Sequence, residues 1–267
     1  MKSSIFKKII SAMIAGSMVI SMSACGNKSN DKKSSSSEKF IVGFDAAFPP
    51  YGYQDEKGEY VGFDLDLADE VCKRNNWELV KQPIDWNAKD MELKSGTISC
   101  IWNGFTMTGR ENEYAWTKPY VDNSQVFVVK SDSNINNFDD LSGKSVAVQT
   151  DSSAESALKD DENKSLKDSF KELVVVSDYN TAFMNLDSGA TDAIAMDIGV
   201  AKYQIESRGD GYKMLDDILS VEQYAVGFAL DNTELRDKVD KTLDDMRKDG
   251  TFEKIADEWE LSDSIIK

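Results

Sequence analysis

The chain has 267 residues, with 31 Lys and Arg against 48 Asp and Glu, and a formal net charge of −17. Such acidity argues against nucleic acid or an anionic membrane as a binding surface. The sequence contains no histidine, which excludes Ser-His-Asp and Cys-His catalysis and histidine-based metal sites. P-loop, EF-hand and G-x-G-x-x-G patterns are also missing from it, so we expect no cofactor and no metal.

The first 25 residues have the pattern of an export signal. Lys2, Lys7 and Lys8 precede an apolar run at 9–20, which is shorter than the roughly 20 residues of a membrane-spanning helix. Met-Ser-Ala-Cys at 22–25 resembles the lipobox of bacterial lipoproteins. We therefore predict a signal peptide at 1–24 and a lipid on Cys25. A transmembrane anchor, or a plain signal peptide with a free Cys25, remain the alternatives.

A flexible linker and a first α/β unit follow. Residues 25–39 are almost entirely Ser, Lys, Asn, Asp and Gly, a composition typical of a flexible tether. After it, buried-strand patterns alternate with helical periodicity, which predicts a parallel sheet with helices on its faces. The predicted strands are 40–44, 77–80 and 98–102, and the predicted helices are 64–75 and 87–95.

Ligands of parallel sheets bind beyond the carboxyl ends of the strands. The segments at Asp45 to Tyr51, at Trp86 and at 103–110 all follow strands in this sense. In the last segment Thr106, Thr108 and Arg110 alternate, and alternate residues of an extended chain point the same way. Two hydroxyls and one guanidinium at a single spot suit a carboxylate, which arginine grips with two parallel bonds.

A second α/β unit begins near Val126. Its predicted strands are 126–129, 145–148, 173–176 and 193–196, and its predicted helices are 152–160, 179–188 and 198–206. Ser152 and Glu155 form a capping-box pattern, and a helix N-terminus favours anions. Asp197, directly after a strand, is placed to receive an ammonium group or to cap the next helix. A strand over 221–230 and helices over 232–248 and 251–259 end the chain, and we expect these helices to pack on the first lobe.

Cys72 and Cys100 remain once Cys25 is assigned to the lipid. In the oxidising environment outside the cell, an even number of remaining cysteines predicts a disulfide. The alternative is a pair of buried free thiols.

Five segments, in their order and spacing, resemble the polar-amino-acid solute-binding proteins of bacterial ABC importers, family 3. The resemblance spans about 40–259. It implies a periplasmic-binding-protein-like type II fold, two α/β lobes joined by a two-strand hinge near 120–125 and 220–224. Lobe 1 would comprise 40–121 plus 224–267, and lobe 2 would comprise 122–223. The segments are Phe-Asp-Ala-Ala-Phe-Pro-Pro-Tyr (44–51), Phe-Asp-Leu-Asp (63–66), Asn-Gly-Phe-Thr-Met-Thr (103–108), Trp-Thr-Lys-Pro-Tyr (116–120) and Leu-Asp-Ser-Gly-Ala-Thr-Asp-Ala (186–193).

The resemblance also implies a role for each site residue. Arg110, Thr106 and the N–H groups of Ser152 and Ser153 would hold the α-carboxylate of a free L-amino acid. Asp197 and the Gly104 carbonyl would hold the α-ammonium. Three residues would surround the side chain, Phe48 and Trp86 by stacking and Asp45 by reading its polar tip. Tyr51, Trp102 and Gln149 are further candidates for lining the pocket.

The implied function is a monomeric, lipid-anchored receptor on the outer face of the cytoplasmic membrane that delivers its ligand to an ABC permease. The alternatives are a dehydratase on the same fold and a sensory module for a signalling receptor. Asp45 favours a side chain that donates hydrogen bonds, namely that of glutamine, lysine, arginine, histidine or cystine. The sequence departs from the family pattern in the Thr108–Arg110 spacing, which is one residue short, and at Ser99, Asp151 and Ser153.

Overall fold

The structure is a computed structural model that describes residues 37–267. The predicted signal peptide, Cys25 and nearly all of the linker lie outside the described residues. The helices are α1 (Phe63–Asn75), α2 (Lys89–Ser95), α3 (Ser153–Lys159), α4 (Lys164–Ser169), α5 (Tyr179–Ser188), α6 (Ile198–Arg208), α7 (Thr233–Lys248) and α8 (Thr251–Glu258). The strands are β1 (Lys39–Phe44), β2 (Ala47–Phe48), β3 (Gly52–Gln54), β4 (Tyr60–Val61), β5 (Glu78–Pro83), β6 (Cys100–Ile101), β7 (Ala115–Trp116), β8 (Val121–Lys130), β9 (Ser145–Gln149), β10 (Glu172–Val176), β11 (Ala193–Asp197), β12 (Tyr212–Met214), β13 (Ser220–Tyr224) and β14 (Gly227–Phe228).

The first sheet has the strand order β5-β1-β6-β14-β7. Strand β1 pairs in parallel with β5 and with β6, as the alternating pattern predicts. Phe40, Val42 and Phe44 alternate along β1 into a buried core that also contains the apolar face of α1. The short hairpin β2-β3-β4 lies at the carboxyl end of β1. The loop that bears Asp45 therefore opens at the same edge as the loop after β6.

The second sheet has the order β10-β9-β11-β8-β12, with β13 also paired to β8. Strand β9 is parallel to β10 and β11, whereas β11 and β8 run antiparallel. Residues 126–129 of β8 and 145–148 of β9 are buried on both faces. Such strands read as continuous apolar runs in the sequence, because helices cover both sides of the sheet.

Two strands, β8 and β13, connect the sheets. They pair antiparallel from Ser220 opposite Gln125 to Tyr224 opposite Val121. Beyond Tyr224 the chain enters the first sheet through β14, and before Val121 it leaves that sheet through β7. The predicted lobe boundaries at 121/122 and 223/224 fall within this pair, and they stay a prediction.

Helices α7 and α8 pack on α1. Phe252 stacks edge-on against Phe63 with ring centroids 5.9 Å apart. Arg74 of α1 donates to Asp249 at 2.7 Å and to Thr251 at 2.9 Å, at the turn between the two helices. A buried apolar face on α7, from Val239 to Met246, completes the contact with the core.

Several features differ from the sequence prediction, which lacked the short elements α4, β7 and β12. The predicted strand 98–102 is reduced to Cys100–Ile101, and the predicted strand 221–230 is interrupted between β13 and β14. The predicted disulfide is not formed: Cys72 and Cys100 are free thiols. They are 2% and 0% exposed and pack in the same core cluster as small apolar side chains, and burial raises the pKa of Cys72 to about 12.

From residue 37 to residue 267, no helix has the length and hydropathy to cross a membrane.

Candidate functional site

The loop after β6 is held in place from two sides. Asp64, at the start of α1, accepts a 2.5 Å hydrogen bond from the Gly104 N–H and a 2.8 Å bond from the Tyr120 hydroxyl. Asn103 accepts a bond from the backbone N–H of Asp45. Gly104 has a φ of 55°, and a Cβ there would lie 2.8 Å from Phe48. The loop conformation therefore requires glycine and joins the ends of β1 and β6.

Thr106, Arg110 and Ser153 form one polar cluster. The Ser153 hydroxyl donates to Thr106 Oγ1 at 2.7 Å, and Arg110 Nη1 donates to Ser153 Oγ at 3.4 Å and to the Thr106 carbonyl at 3.3 Å. Arg110 is oriented by the Phe105 ring, 5.5 Å from its Cζ, and by the Trp116 indole, which donates to its carbonyl at 3.0 Å. A guanidinium and two hydroxyls thus come together, but the second hydroxyl is that of Ser153 and not the expected one of Thr108.

Thr108 does not share this cluster, and the expected alternation of Thr106, Thr108 and Arg110 is wrong. The backbone turns at Thr108 and Gly109, where Gly109 has a φ of 81°. Thr108 is exposed, and its Oγ1 accepts from the Gln223 N–H at 3.0 Å. The turn brings Arg110 back to Thr106, although the spacing is one residue shorter than in the family pattern.

Asp45 and Gln149 meet at the other end of the site. Gln149 Nε2 donates to Asp45 Oδ2 at 2.7 Å, and the Ala47 N–H donates to Oδ1 at 2.8 Å. Asp45 is 7% exposed. Burial raises the pKa of its carboxyl, and the negative charges of Asp178 and Asp85 raise it further. Among the residues that the structure describes, Asp45 has no salt-bridge partner.

Asp197 lies at the end of β11 and is buried. Its Oδ1 accepts from Asn123 at 2.9 Å, from Gln125 at 2.8 Å and from the Tyr224 hydroxyl at 2.6 Å. Tyr179 donates to Oδ2 at 3.3 Å. Asp197 occupies the N-cap position of α6 without a side-chain capping bond, so its carboxylate does not cap that helix. Burial raises the pKa of its carboxyl.

Glu222 on β13 adds a second buried carboxylate. Its Oε1 accepts from Thr106 Oγ1 at 2.8 Å, from Asn123 at 2.7 Å and from Gln125 at 2.8 Å. The same two amides therefore bridge Glu222 and Asp197. Burial raises the pKa of Glu222 to about 7, and the nearby Asp197 charge contributes to that rise.

The predicted aromatic residues divide into two groups. Phe48 packs on Tyr51 and Tyr179, each with ring centroids 5.9 Å apart. Trp86 packs edge-on against Phe105 at 5.4 Å and is half-buried. Trp102 is fully buried, and its role in lining the ligand pocket stays a prediction.

Asp151 pairs with a lysine and not with Arg110. It forms an ion pair with Lys89, whose side chain is 3% exposed and lies 5.1 Å from the Trp86 ring centre. Ser152 caps α3 by accepting from the Glu155 N–H at 3.1 Å, which confirms one half of the predicted capping box. The other half is shifted by one residue, because the Glu155 carboxylate accepts from the Asp151 N–H at 2.7 Å. The N–H of Ser152 donates to the Gln149 carbonyl at 3.4 Å. The predicted carboxylate contacts of Ser152 and Ser153 N–H, and the ammonium contact of the Gly104 carbonyl, stay predictions.

Sequence reasoning missed four of the groups around Asp197. Tyr179, Tyr224, Asn123 and Gln125 look like ordinary strand and helix residues, because pairing between distant segments creates their burial. An acid at 222 within a predicted strand was the one available signal for Glu222.

The family model of bacterial extracellular solute-binding proteins, family 3, matches residues 40–262. The arginine-binding extracellular protein ArtP of Bacillus subtilis is 29% identical over 95% of this chain and 98% of its own length. A probable amino-acid-binding protein of the same organism, YxeM, is 29% identical over 96% of each chain. An ABC uptake transporter substrate-binding protein of Streptococcus pneumoniae, solved with bound histidine, superposes with a TM-score of 0.82. It is 33% identical over 86% of this chain and 95% of its own.

Proposed function

The chain belongs to the bacterial extracellular solute-binding proteins of family 3 and has their type II periplasmic-binding-protein fold, and from this premise we propose that its ligand is a basic L-amino acid. It is an amino-acid-binding component of an ABC importer. We infer that it delivers the bound amino acid to the membrane permease of that importer.

The proposal that the ligand is basic rests on the Asp45 carboxylate. A buried carboxylate is costly unless a positive charge or several hydrogen bonds compensate it. Asp45 receives two hydrogen bonds and lies near two other acids, Asp85 and Asp178. The cationic side chain of arginine, lysine, ornithine or histidine would supply the missing charge. Glutamine would supply hydrogen bonds only.

The overall charge of the site supports the same choice. Asp45, Asp197 and Glu222 contribute three carboxylates, whereas Arg110 is the one cation in contact with this group of residues within the described part of the chain. Lys89 is paired with Asp151. A zwitterion with an additional positive charge reduces the excess of negative charge. Two relatives agree with the assignment: ArtP is described as arginine-binding, and the streptococcal protein was solved with histidine.

Contacts to the amino-acid backbone follow from the two polar clusters. The α-carboxylate would lie at Arg110, Thr106 and Ser153, and the α-ammonium would lie at Asp197. Thr106 and Arg110 belong to the segment before β8, whereas Ser153 and Asp197 belong to the segment between β8 and β13. A ligand that contacts both segments stabilises the closed arrangement over an open one.

Export and anchoring are part of the proposal. The family is extracellular, and the lipobox-like Met-Ser-Ala-Cys would place a lipid on Cys25. The protein would then be a monomer tethered by the linker to the outer face of the cytoplasmic membrane. It would carry out no catalysis, so incubation with prephenate or arogenate would leave both compounds unchanged.

Calorimetric titration of the purified protein tests the proposed function. We expect L-arginine, L-lysine or L-histidine to bind with a Kd of about 1 μM or tighter, which corresponds to about −8 kcal/mol. We expect Asp45→Asn to weaken that binding at least about 10-fold, while the exposed Asp132→Asn leaves it unchanged. Tighter binding of L-glutamine or L-cystine than of any basic amino acid would overturn the ligand class. The absence of heat with every amino acid would overturn the function.

A further inference from the structure

Glu222 is buried, yet half of its carboxylate is unused. All three of its hydrogen bonds, from Thr106, Asn123 and Gln125, go to Oε1. Its Oε2 accepts no hydrogen bond from the residues that the structure describes. The residue as a whole is 5% exposed. Oε2 retains some contact with solvent, so it is open to a donor from outside the protein.

A cavity of about 180 Å³ adjoins Glu222. Arg110 and Ser153 line it as well, so a guanidinium, a hydroxyl and a carboxylate face one space that is partly open to solvent. This set matches the two charges of an amino-acid backbone, with Arg110 for the carboxylate and Glu222 for the ammonium. The lining of the cavity also includes the exposed Thr108 and Val221 but not Asp197, which is linked to Glu222 through the two shared amides. Asp197 is less available for the ammonium, because its Oδ1 already accepts three bonds and its Oδ2 accepts one from Tyr179.

Ionising both Glu222 and Asp197 costs free energy in this buried environment. Asn123 and Gln125 donate to both of them, which places Glu222 and Asp197 within two hydrogen bonds of each other. Like charges at this range disfavour each other, and one carboxyl of such a pair retains its proton. Burial and Asp197 together raise the pKa of Glu222 to about 7.

The charged and titratable groups around the pair come from five parts of the fold. The positive charge comes from Arg110 on the loop after β6, and Asp160 lies across the cavity just after α3. The hydroxyls of Tyr179 on α5 and Tyr224 on β13 donate to Asp197. Tyr51 packs edge-on against Tyr224 with ring centroids 5.2 Å apart. In this set only Arg110 is a cation, and the ligand carboxylate would neutralise it.

We propose that Glu222 binds the ligand's α-ammonium together with Asp197, and that the ammonium replaces a proton which this pair holds when the site is empty. The inference rests on the proposed function, since it requires an amino-acid ligand. On binding, the shared carboxylic proton leaves to solvent, and the N–H groups of the ammonium take over as donors to the two carboxylates. Ligand binding below neutral pH is therefore coupled to the release of one proton.

Calorimetric titrations with L-arginine, in buffers of different ionisation enthalpy, measure this release. For a group with a pKa near 7 that becomes fully ionised on binding, Kd rises about 30-fold from about pH 8 to about pH 5.5. We expect the wild type to release close to one proton per ligand in the lower part of this range. L-Argininic acid, in which a hydroxyl replaces the α-ammonium, should release none from this pair.

Glu222→Gln is the informative variant, because the amide oxygen can still accept from Thr106 or from one of the two amides. We expect it to bind L-arginine at least about 10-fold more weakly at pH 8 and to lose the proton release. Glu172→Gln, an isosteric change at an exposed position on β10, is the matched control and should behave as the wild type. Thermal unfolding of each variant establishes that it is folded.

Two results would overturn the inference. One is wild-type binding of L-arginine without proton release, a measurement that requires no variant. The other is a folded Glu222→Gln protein with wild-type affinity and wild-type proton release. If L-arginine does not bind but another amino acid does, the same titrations apply to that amino acid, because the α-ammonium is common to all of them. If no amino acid binds, the proposed function has failed, and that outcome is distinct from both results.

Discussion

At the scale of single residues, the Thr106 hydroxyl joins the two charged ends of the site. It accepts from Ser153, which also contacts Arg110, and it donates to Glu222, which shares two amide donors with Asp197. A hydroxyl serves here because it donates and accepts at once. Neither a valine nor a carboxylate at this position could serve both neighbours.

Arg110 tests the carboxylate end of the site. We expect Arg110→Ala to weaken amino-acid binding by about 2–4 kcal/mol, or about 30- to 1000-fold in Kd, because a buried carboxylate would lose its charged partner. The affinity of Arg110→Lys should lie between those of the wild type and Arg110→Ala, since lysine keeps the charge but not the paired N–H donors. Titration calorimetry gives both values.

Arg208→Lys, on the exposed end of α6, is the matched control for the lysine variant. Wild-type affinity in Arg110→Ala would show that the carboxylate lies elsewhere.

The sequence identified the residues that carry charge in loops but not those buried in strands. Asp45 and Arg110 follow strands of the first sheet, so topology alone placed them at one edge, and Asp197 was found from its position at the end of a strand of the second sheet. Glu222 was missed because its burial depends on pairing of β13 with β8, about 100 residues away along the chain. Thr108 was misplaced because a turn at Gly109, not an extended segment, sets its direction.

At the scale of elements, one ion pair links α2 to the loop before α3. Lys89 is 3% exposed, whereas Asp151 is 54% exposed and has a φ of 55°. The two members of the pair therefore differ in how well water can solvate them when they are separated. Asp151 can be hydrated, but Lys89 would be left as an uncompensated buried charge.

This asymmetry predicts unequal effects of the two single substitutions. Asp151→Asn should destabilise the ligand-free protein by about 1–3 kcal/mol, a range reduced for the exposure of Asp151, while Lys89→Met should cost less. Chemical denaturation measures both. Lys164→Met, which removes an exposed pair with Asp168, should leave the midpoint unchanged. A larger loss for Lys89→Met than for Asp151→Asn would contradict this account.

Most elements were predictable because their local signals agree with the tertiary structure. Helix α5 was predicted at its observed bounds, 179–188, with its end set by Gly189 in the left-handed region. Strand β6 was overestimated in length, although the Trp102 N–H still donates to the Gly43 carbonyl of β1 at 3.1 Å before the loop that Asp64 holds begins. The free thiols show why an even number of cysteines does not suffice to predict a disulfide, since the number says nothing about the directions of the two side chains.

At the scale of the whole molecule, buried acids with raised pKa values set the pH dependence of folding. Burial raises the pKa of Asp64 to about 7, as it does that of Glu222. Unfolded carboxyls lose their protons near pH 4, so between about pH 4 and 7 the folded protein binds more protons than the unfolded chain. The free energy of unfolding of the ligand-free protein should therefore fall as pH rises through this window, by about 1.4 kcal/mol per pH unit for each such group.

Unfolding at a series of pH values measures this slope. Asp64→Asn should reduce this slope, because it removes one of the titrating carboxyls. The variant should still fold, because the amide oxygen can accept from the Gly104 N–H and the amide N–H can donate to the Tyr120 hydroxyl. Asp249→Asn is the control: contact with Arg74 lowers the pKa of Asp249 to about 2, so its effect lies below this window. A slope of the opposite sign between pH 5 and 7 would contradict the role of the buried acids.

The segment at 264–266 runs beside the start of β8, where the Asp122 N–H donates to the Ser264 carbonyl at 2.8 Å and the Ile266 N–H donates to the Tyr120 carbonyl at 2.9 Å. Bending of the connecting strands must therefore carry this segment along or break these two bonds. Exposed Asp263 lies next to it and lines a separate cavity of about 210 Å³ with Tyr51 and Gly199. A fluorophore attached there would sense lobe movement from outside the ligand site, which makes the protein a natural scaffold for an optical amino-acid sensor.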